Sequence, residues 1–461
     1  MKRRWIWIAA MTVMGAVALL AVRLYIREST REMRSQLFIP KQARITPQIE
    51  LLQQYVRIDT SNPPGKELAG ARFLARLLEA NGVKAEIIES APGRGNIYAR
   101  IKGRRSGEGL LLMNHIDVVP ATNAGWKHPP FDAAIALNQL WGRGTLDMKG
   151  IAICELQAFL DVARSGRQPE RDLVFLGVAD EERGGTMGTK WLLQHRPDIF
   201  EGVRYALNEG GVTETRAEGI NYFGIEIGTK MTARVRLRAP SRESMQRARI
   251  ALEPYFGPPD PDRILPEVTT FFHQVAPHRI EQREVLKDLP ATMAAGKFWL
   301  LARGFKELTQ NVLWATGVSG DAHGATMDVN FFDLPDEDPN RRIAWLKSTV
   351  APYGVTVQEV LERNGPAPLS SPNTPLYALL RRSIERQYGA VPVGVQILAN
   401  SSNDSRFLRA RGILCYGIWP FPVDYYQSLG IHNVDERVRL DWFMQGVELM
   451  RGLVHQYANG A

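Results

Sequence analysis

Three adjacent carboxylates, Asp180-Glu181-Glu182, follow directly on the uncharged run Leu173–Ala179. An apolar run of this length without polar alternation reads as a strand buried on both faces. Like charges gathered at the end of such a strand repel one another, which is costly unless a cation or full solvation compensates. The pattern recurs twice. Leu110-Leu111-Leu112-Met113 runs into Asn114-His115-Ile116-Asp117, and Tyr205-Ala206-Leu207 runs into Asn208-Glu209. Open α/β sheets place their ligand sites at the carboxyl ends of strands, so an α/β domain with a cation-seeking sheet edge is expected.

Helical patterns alternate with these strands. Leu68, Phe73, Leu74, Leu77 and Leu78 share one face before the stop signal Asn81-Gly82, and Ile151–Ala163 reads as a helix ended by Ser165-Gly166. From about Thr229 to Gly365 the texture changes. Strand-like stretches (Ala233–Leu237, Ala325–Phe331) sit among amphipathic helices such as Ser244–Leu252 and Arg341–Leu346, which reads as an inserted α+β domain. The α/β pattern resumes with a helix at Leu376–Tyr388, a strand at Ile413–Ile418 and a closing helix at Trp442–Tyr457. A chain of 461 residues exceeds one compact core. The expected layout is an anchor over 1–26, a stalk over 27–44, α/β domain parts over 45–228 and 366–461, and an insertion over 229–365.

Trp5–Val22 is uncharged and about 27 Å long as a helix at ~1.5 Å per residue, close to a hydrocarbon core. It reads as a membrane anchor with the body on the periplasmic or extracellular side; a signal peptide cleaved near Ala16-Val17-Ala18 is the alternative. The formal net charge of +8 is concentrated in the same region, since the first 44 residues carry nine basic and two acidic side chains. The remaining body is nearly neutral, which argues against nucleic-acid binding. With Cys154 and Cys415 alone, neither a disulfide framework nor a cysteine zinc site can be built.

Several residues can hold a metal together, although each has a plainer reading alone. In an extended stretch residues two apart share a face, so Asp117 can accept the spare ring N–H of His115 and fix its tautomer. Asp147 lies in Gly142-Arg143-Gly144-Thr145-Leu146-Asp147-Met148-Lys149-Gly150, where it serves a crowded site or caps the helix beginning near Gly150. In Glu181-Glu182 one carboxylate can bind metal while its neighbour takes a proton from water. Glu209, before Gly210-Gly211, and His432, in Ile431-His432-Asn433-Val434-Asp435-Glu436-Arg437, add one oxygen and one nitrogen ligand. Two histidines and three carboxylates suit two zinc ions sharing one bridging carboxylate, with Co2+ or Mn2+ as substitutes.

Taken in order, these segments resemble the co-catalytic zinc peptidases and amidohydrolases, peptidase family M20, which include aminoacylases, succinyl-diaminopimelate desuccinylase, glutamate carboxypeptidases and carboxypeptidase S. Trp126, Pro129-Pro130-Phe131 and Asn403-Asp404-Ser405-Arg406 belong to the same resemblance, which covers roughly Pro47–Gly228 and Pro366–Tyr457. It implies a catalytic α/β domain with a mixed, mainly parallel sheet and a smaller α+β lid that mediates homodimers in relatives. It implies metal roles for His115, Glu182, Glu209 and His432, and a bridging role for Asp147. Glu181 becomes the general base, Asp117 the partner of His115, and Asp404 and Arg406 candidates for substrate binding.

The lid departs from the family pattern. Relatives carry a Gly-His-Gly-Ser-like loop after the first lid strand, whose His helps hold the oxyanion; here Leu237-Arg238-Ala239-Pro240-Ser241 passes directly into a helix. Phe332 stands where an Arg that grips the substrate carboxylate is expected, and His323 is the candidate substitute for the missing His. An oxyanion donor is worth about 10² to 10³ in turnover. The expectation is a hydrolase of amide or peptide bonds in N-acyl amino acids or small peptides; the alternative is a weak or inactive metal-bearing, membrane-anchored binding protein.

Overall fold

The computed structural model describes residues 44–460 apart from 217–218, 253–262, 279–282, 298–299, 301–302, 365–367 and 400. The proposed anchor at Trp5–Val22 lies outside the described residues. Among those described, no helix is long and apolar enough to cross a membrane.

A nine-stranded mixed sheet forms the body, in the order Ala85–Glu89, Gly95–Ile101, Arg171–Val178, Arg105–His115, Val203–Asn208, Leu414–Gly417, Gly219–Thr229, Val393–Leu398, with Thr213–Arg216 beside Gly219–Thr229. The three strands singled out by their apolar runs are adjacent and parallel, with His115 paired to Val178 and Leu112 to Leu207. Their carboxyl ends therefore open on one edge. Both faces are covered, because successive side chains alternate between two cores. Leu110, Leu112 and Phe175 join the one that includes the helices Lys149–Arg164 and Leu440–Ala458, while Leu111, Met113 and Leu176 join Leu192 and Leu408 on the other side.

A second sheet of five strands has the order Val312–Ala315, Ala325–Asp333, Met231–Ala239, Thr356–Arg363, with Ser319–Gly320 paired to the start of Ala325–Asp333. Its inward residues Val235, Leu237, Val329 and Phe331 pack on the helices Arg242–Ala251 and Pro339–Val350 through Met245, Ala248 and Leu346. The insertion expected over 229–365 is not one unit, however. The helix Pro266–Val275 buries Val268, Phe271 and Phe272 in the core of the body, and Gln274 Oε1 accepts from the N–H of Val395 at 3.0 Å. It covers the strand that ends the large sheet, an edge that would otherwise present unpaired backbone groups.

Candidate active site

Strand ends place the acidic and imidazole groups. His115 is the last residue of its strand and its side chain is 1% exposed; Glu209 follows Asn208; Glu181 and Glu182 open the 3-10 turn Glu181–Arg183 three residues after Val178. Asp180 makes that turn possible by adopting φ 69°, which reverses the chain at once. Asp147 and His432 come from loops. Asp147 does not cap the following helix, whose first flanking residue Met148 makes no side-chain cap, so the capping reading falls away.

Asp147 joins the two halves of the site. Its Oδ1 lies 2.9 Å from His115 Nε2, which is also 3.7 Å from Glu209 Oε2; its Oδ2 lies 2.9 Å from His432 Nε2, which is 3.1 Å from Glu182 Oε2. Bonds of ~2.0–2.1 Å in a tetrahedron put neighbouring ligand atoms about 3.3 Å apart, the scale of these separations, and ligand atoms of His115, Asp147 and Glu182 all lie within 4.8 Å of one another. Glu182 Oε1 is buried with no hydrogen-bond partner, the state of an oxygen built for a cation. Glu181 stands beside the first half, with an oxygen within 4.8 Å of the ligand atoms of His115 and Glu209. The structure thus brings together the five residues expected from the sequence to hold metal, with Glu181 beside them.

Charge balance points the same way. Burial pushes Glu181 well above the usual carboxylate range, helped by the neighbouring charge of Glu209. Burial and the charge of Asp147 raise Glu209, and raise Glu182 to about 7. Hydrogen bonds to Asp147 and Glu182 raise His432 to about 11. Burial disfavours charge on His115, but Glu209 and Asp147 overcome it and hold the imidazole well above its ordinary value. Burial likewise opposes ionisation of Asp147, yet the two histidines keep it well below the carboxylate range. Without a cation, this many carboxylates are balanced by protons on the histidines; divalent ions would replace those protons.

The supporting groups differ from expectation in one respect. His115 Nδ1 donates to the backbone carbonyl of Asp117 at 2.9 Å, and the Asp117 carboxylate is 3.7 Å away. Strand alternation misleads here because the strand stops at His115. The carboxylate instead accepts the backbone N–H of Glu181 at 3.1 Å and of Glu182 at 3.2 Å, and the Asn62 amide at 2.9 Å, so it positions the acidic turn. Glu436 was missed as an individual residue. Fully buried, it accepts from Arg143 and from the backbone of Gly144, Leu146 and Asp147. Its spacing of four residues from His432 was the available signal.

Of the three candidates for substrate binding, Arg406 lies where the lid meets the site. His323 is exposed, in the turn before Ala325–Asp333, at the strand end where Ala325 pairs with Ala239. The lid joins the body at the opposite end of that strand, near Met231, about 27 Å away at ~3.4 Å per residue. His323 is therefore remote from the cage of its own chain. Asp404 is fully buried, neither of its oxygens has a hydrogen-bond partner, and its charge helps raise Glu181 and Glu209. Arg406 Nη2 lies 3.8 Å from Glu362 Oε1 of the lid strand Thr356–Arg363, and a Cβ at Gly184 would come 4.0 Å from the Glu362 carboxyl carbon. Glu362 is thus a charged group that the lid brings next to the acidic turn.

Residues 111–456 match the peptidase family M20/M25/M40. The chain is 25% identical over 386 residues to "Probable carboxypeptidase S-like 2" of Dictyostelium discoideum, covering 75% of this chain and 71% of that protein. It is 32% identical over 180 residues to aminoacylase-1 of Sus scrofa, covering 38% of this chain and 44% of that enzyme. An M20 family metallo-carboxypeptidase from Sulfolobus solfataricus superimposes with a TM-score of 0.70 at 18% identity, over 90% of this chain and 100% of that one. A di-peptidase from Saccharomyces cerevisiae gives 0.69 at 16%, over 90% and 96%. The mixed α/β fold is theirs, and the chain belongs to peptidase family M20, as a metal-dependent hydrolase of the peptidase and aminoacylase type.

Proposed function

We propose that the protein hydrolyses an amide or peptide bond in an N-acyl amino acid or small peptide, with Glu181 as general base. The observation that carries this reading is a half-buried carboxylate, pushed well above the usual carboxylate range, that stands beside His115 and Glu209 while Asp147 joins His115 to His432. Two divalent cations, zinc or its Co2+ and Mn2+ substitutes, would acidify an attacking water and polarise the scissile carbonyl. His115, Asp147 and Glu209 would hold one and His432, Asp147 and Glu182 the other. Glu181 takes the proton from the water as it attacks, and returns it to the leaving nitrogen. Asp117 keeps Glu181 in place through its backbone N–H.

Arg406 supplies positive charge at the lid seam for an anionic substrate group, taking over from the absent lid Arg. Membrane attachment through Trp5–Val22, with the body on the periplasmic or extracellular side, belongs to the same proposal and rests on that uncharged run. So does a homodimer through the lid, whose strand Thr356–Arg363 lies at an edge of its sheet. The remoteness of His323 favours one alternative, a metal-bearing binding protein with weak turnover. Assaying acetylated amino acids and dipeptides on the purified full chain, with and without a chelator, separates the two. Chelator-sensitive release of amine supports the hydrolase; tight substrate binding without release supports the alternative.

A further inference from the structure

Glu436 is fully buried and cannot touch a substrate. Its Oε2 accepts from Arg143 Nη1 at 2.6 Å and the N–H of Gly144 at 3.0 Å; its Oε1 accepts the N–H of Leu146 at 2.8 Å and of Asp147 at 3.2 Å. Four donors on two oxygens leave little capacity for a metal. The same stretch is tied again, because the Glu436 carbonyl accepts the N–H of Gly142 at 2.9 Å and Arg143 Nη2 donates to the Asn433 carbonyl at 3.0 Å. Loop 142–147 and loop 430–436 are thus clamped together, and each bears one ligand.

The two halves of the cage are not equally supported. His115 ends a strand flanked by two others, and Glu209 directly follows a strand. His432 has no such support. It sits in a loop at φ 57° with its ring 52% exposed, and reaches Asp147 only because that loop is held. We propose that Glu436 is a positioning residue that fixes the distance between His432 and Asp147, and so selectively controls occupancy of the second metal position. The proposal rests on the dinuclear reading above.

Replacing Glu436 by Gln turns one acceptor into a donor facing two N–H groups. In Glu436→Gln, measured on the folded full chain by elemental analysis against free Zn2+, one ion should stay tight. The other should weaken by about 10- to 100-fold, the usual effect of losing a partner behind a ligand. Added Zn2+ should restore kcat with KM unchanged. Glu436→Asp, which keeps the charge, should be partly rescued and serves if the Gln variant fails to fold. Arg143→Met, which leaves the backbone clamp intact, should lower Tm but retain two ions. Two ions held as in wild type, both ions weakened equally, or metal loss in Arg143→Met matching that in Glu436→Gln would overturn the proposal. A wild-type chain with fewer than two sites would instead refute the dinuclear reading.

Discussion

Asp147 divides its carboxylate between two histidines that are more than 300 residues apart in sequence, with Oδ1 2.9 Å from His115 Nε2 and Oδ2 2.9 Å from His432 Nε2. One side chain therefore belongs to both halves of the cage. Any proton or cation bound in one half is felt in the other through the same carboxylate, which is the electrostatic reason for treating the five residues as a unit.

If Glu181 only moves protons, Glu181→Gln should keep its metals while kcat falls by at least about 10²-fold, the usual size of general-base catalysis. Metal content and turnover measured on the same sample check this. Turnover close to wild type would remove Glu181 from the role.

Asp117→Asn places an amide N–H₂ against one of the backbone N–H groups of Glu181 and Glu182, which the two carboxylate oxygens accept at 3.1 and 3.2 Å. The acidic turn should shift, lowering metal affinity by about 10- to 100-fold. An imidazole held by the Asp117 carboxylate would instead respond chiefly through the tautomer of His115. Because the acceptor is the backbone carbonyl, the NMR signature of the His115 tautomer should be unchanged in the variant.

Metal binding should release protons. The metal-free protein holds His432 protonated up to about 11 and His115 well above its ordinary value, and an imidazole must be neutral to bind metal. Both shifts are upward, so protons compete hardest at low pH and apparent metal affinity rises as pH increases. Calorimetry in buffers of different ionisation enthalpy should find at least about two protons released per chain at pH 7, the histidines' two plus any that Glu182 carries. Release of none would mean that the histidines are already neutral.

His323→Ala should leave kcat and KM unchanged, since the side chain is exposed at the end of the lid sheet remote from its own cage. A fall in kcat alone would indicate that this turn reaches an active site, and in that case a partner's.

The sheet edge was legible because three apolar runs end in charge, a juxtaposition that burial on both faces permits only at strand termini. Register then brings His115, Glu181 and Glu209 together without further information. What escaped depends on choices that no local pattern records. The helix Pro266–Val275 has an apolar face that suits either core, and only the uncovered strand Val393–Leu398 decides its place. Asp117 was assigned by strand alternation across a boundary where the strand had already stopped. Glu436 looks like one more surface acid until Arg143 and three backbone donors are seen around it. His323 was judged by its chemistry, whereas hairpin register fixed its distance from the site.

The most direct test is anomalous diffraction from crystals of the zinc-loaded protein. Two ions about 3.5 to 4 Å apart should straddle Asp147, one within bonding distance of His115 and Glu209 and the other of His432 and Glu182. A single ion, or two ions that do not share Asp147, would contradict the account.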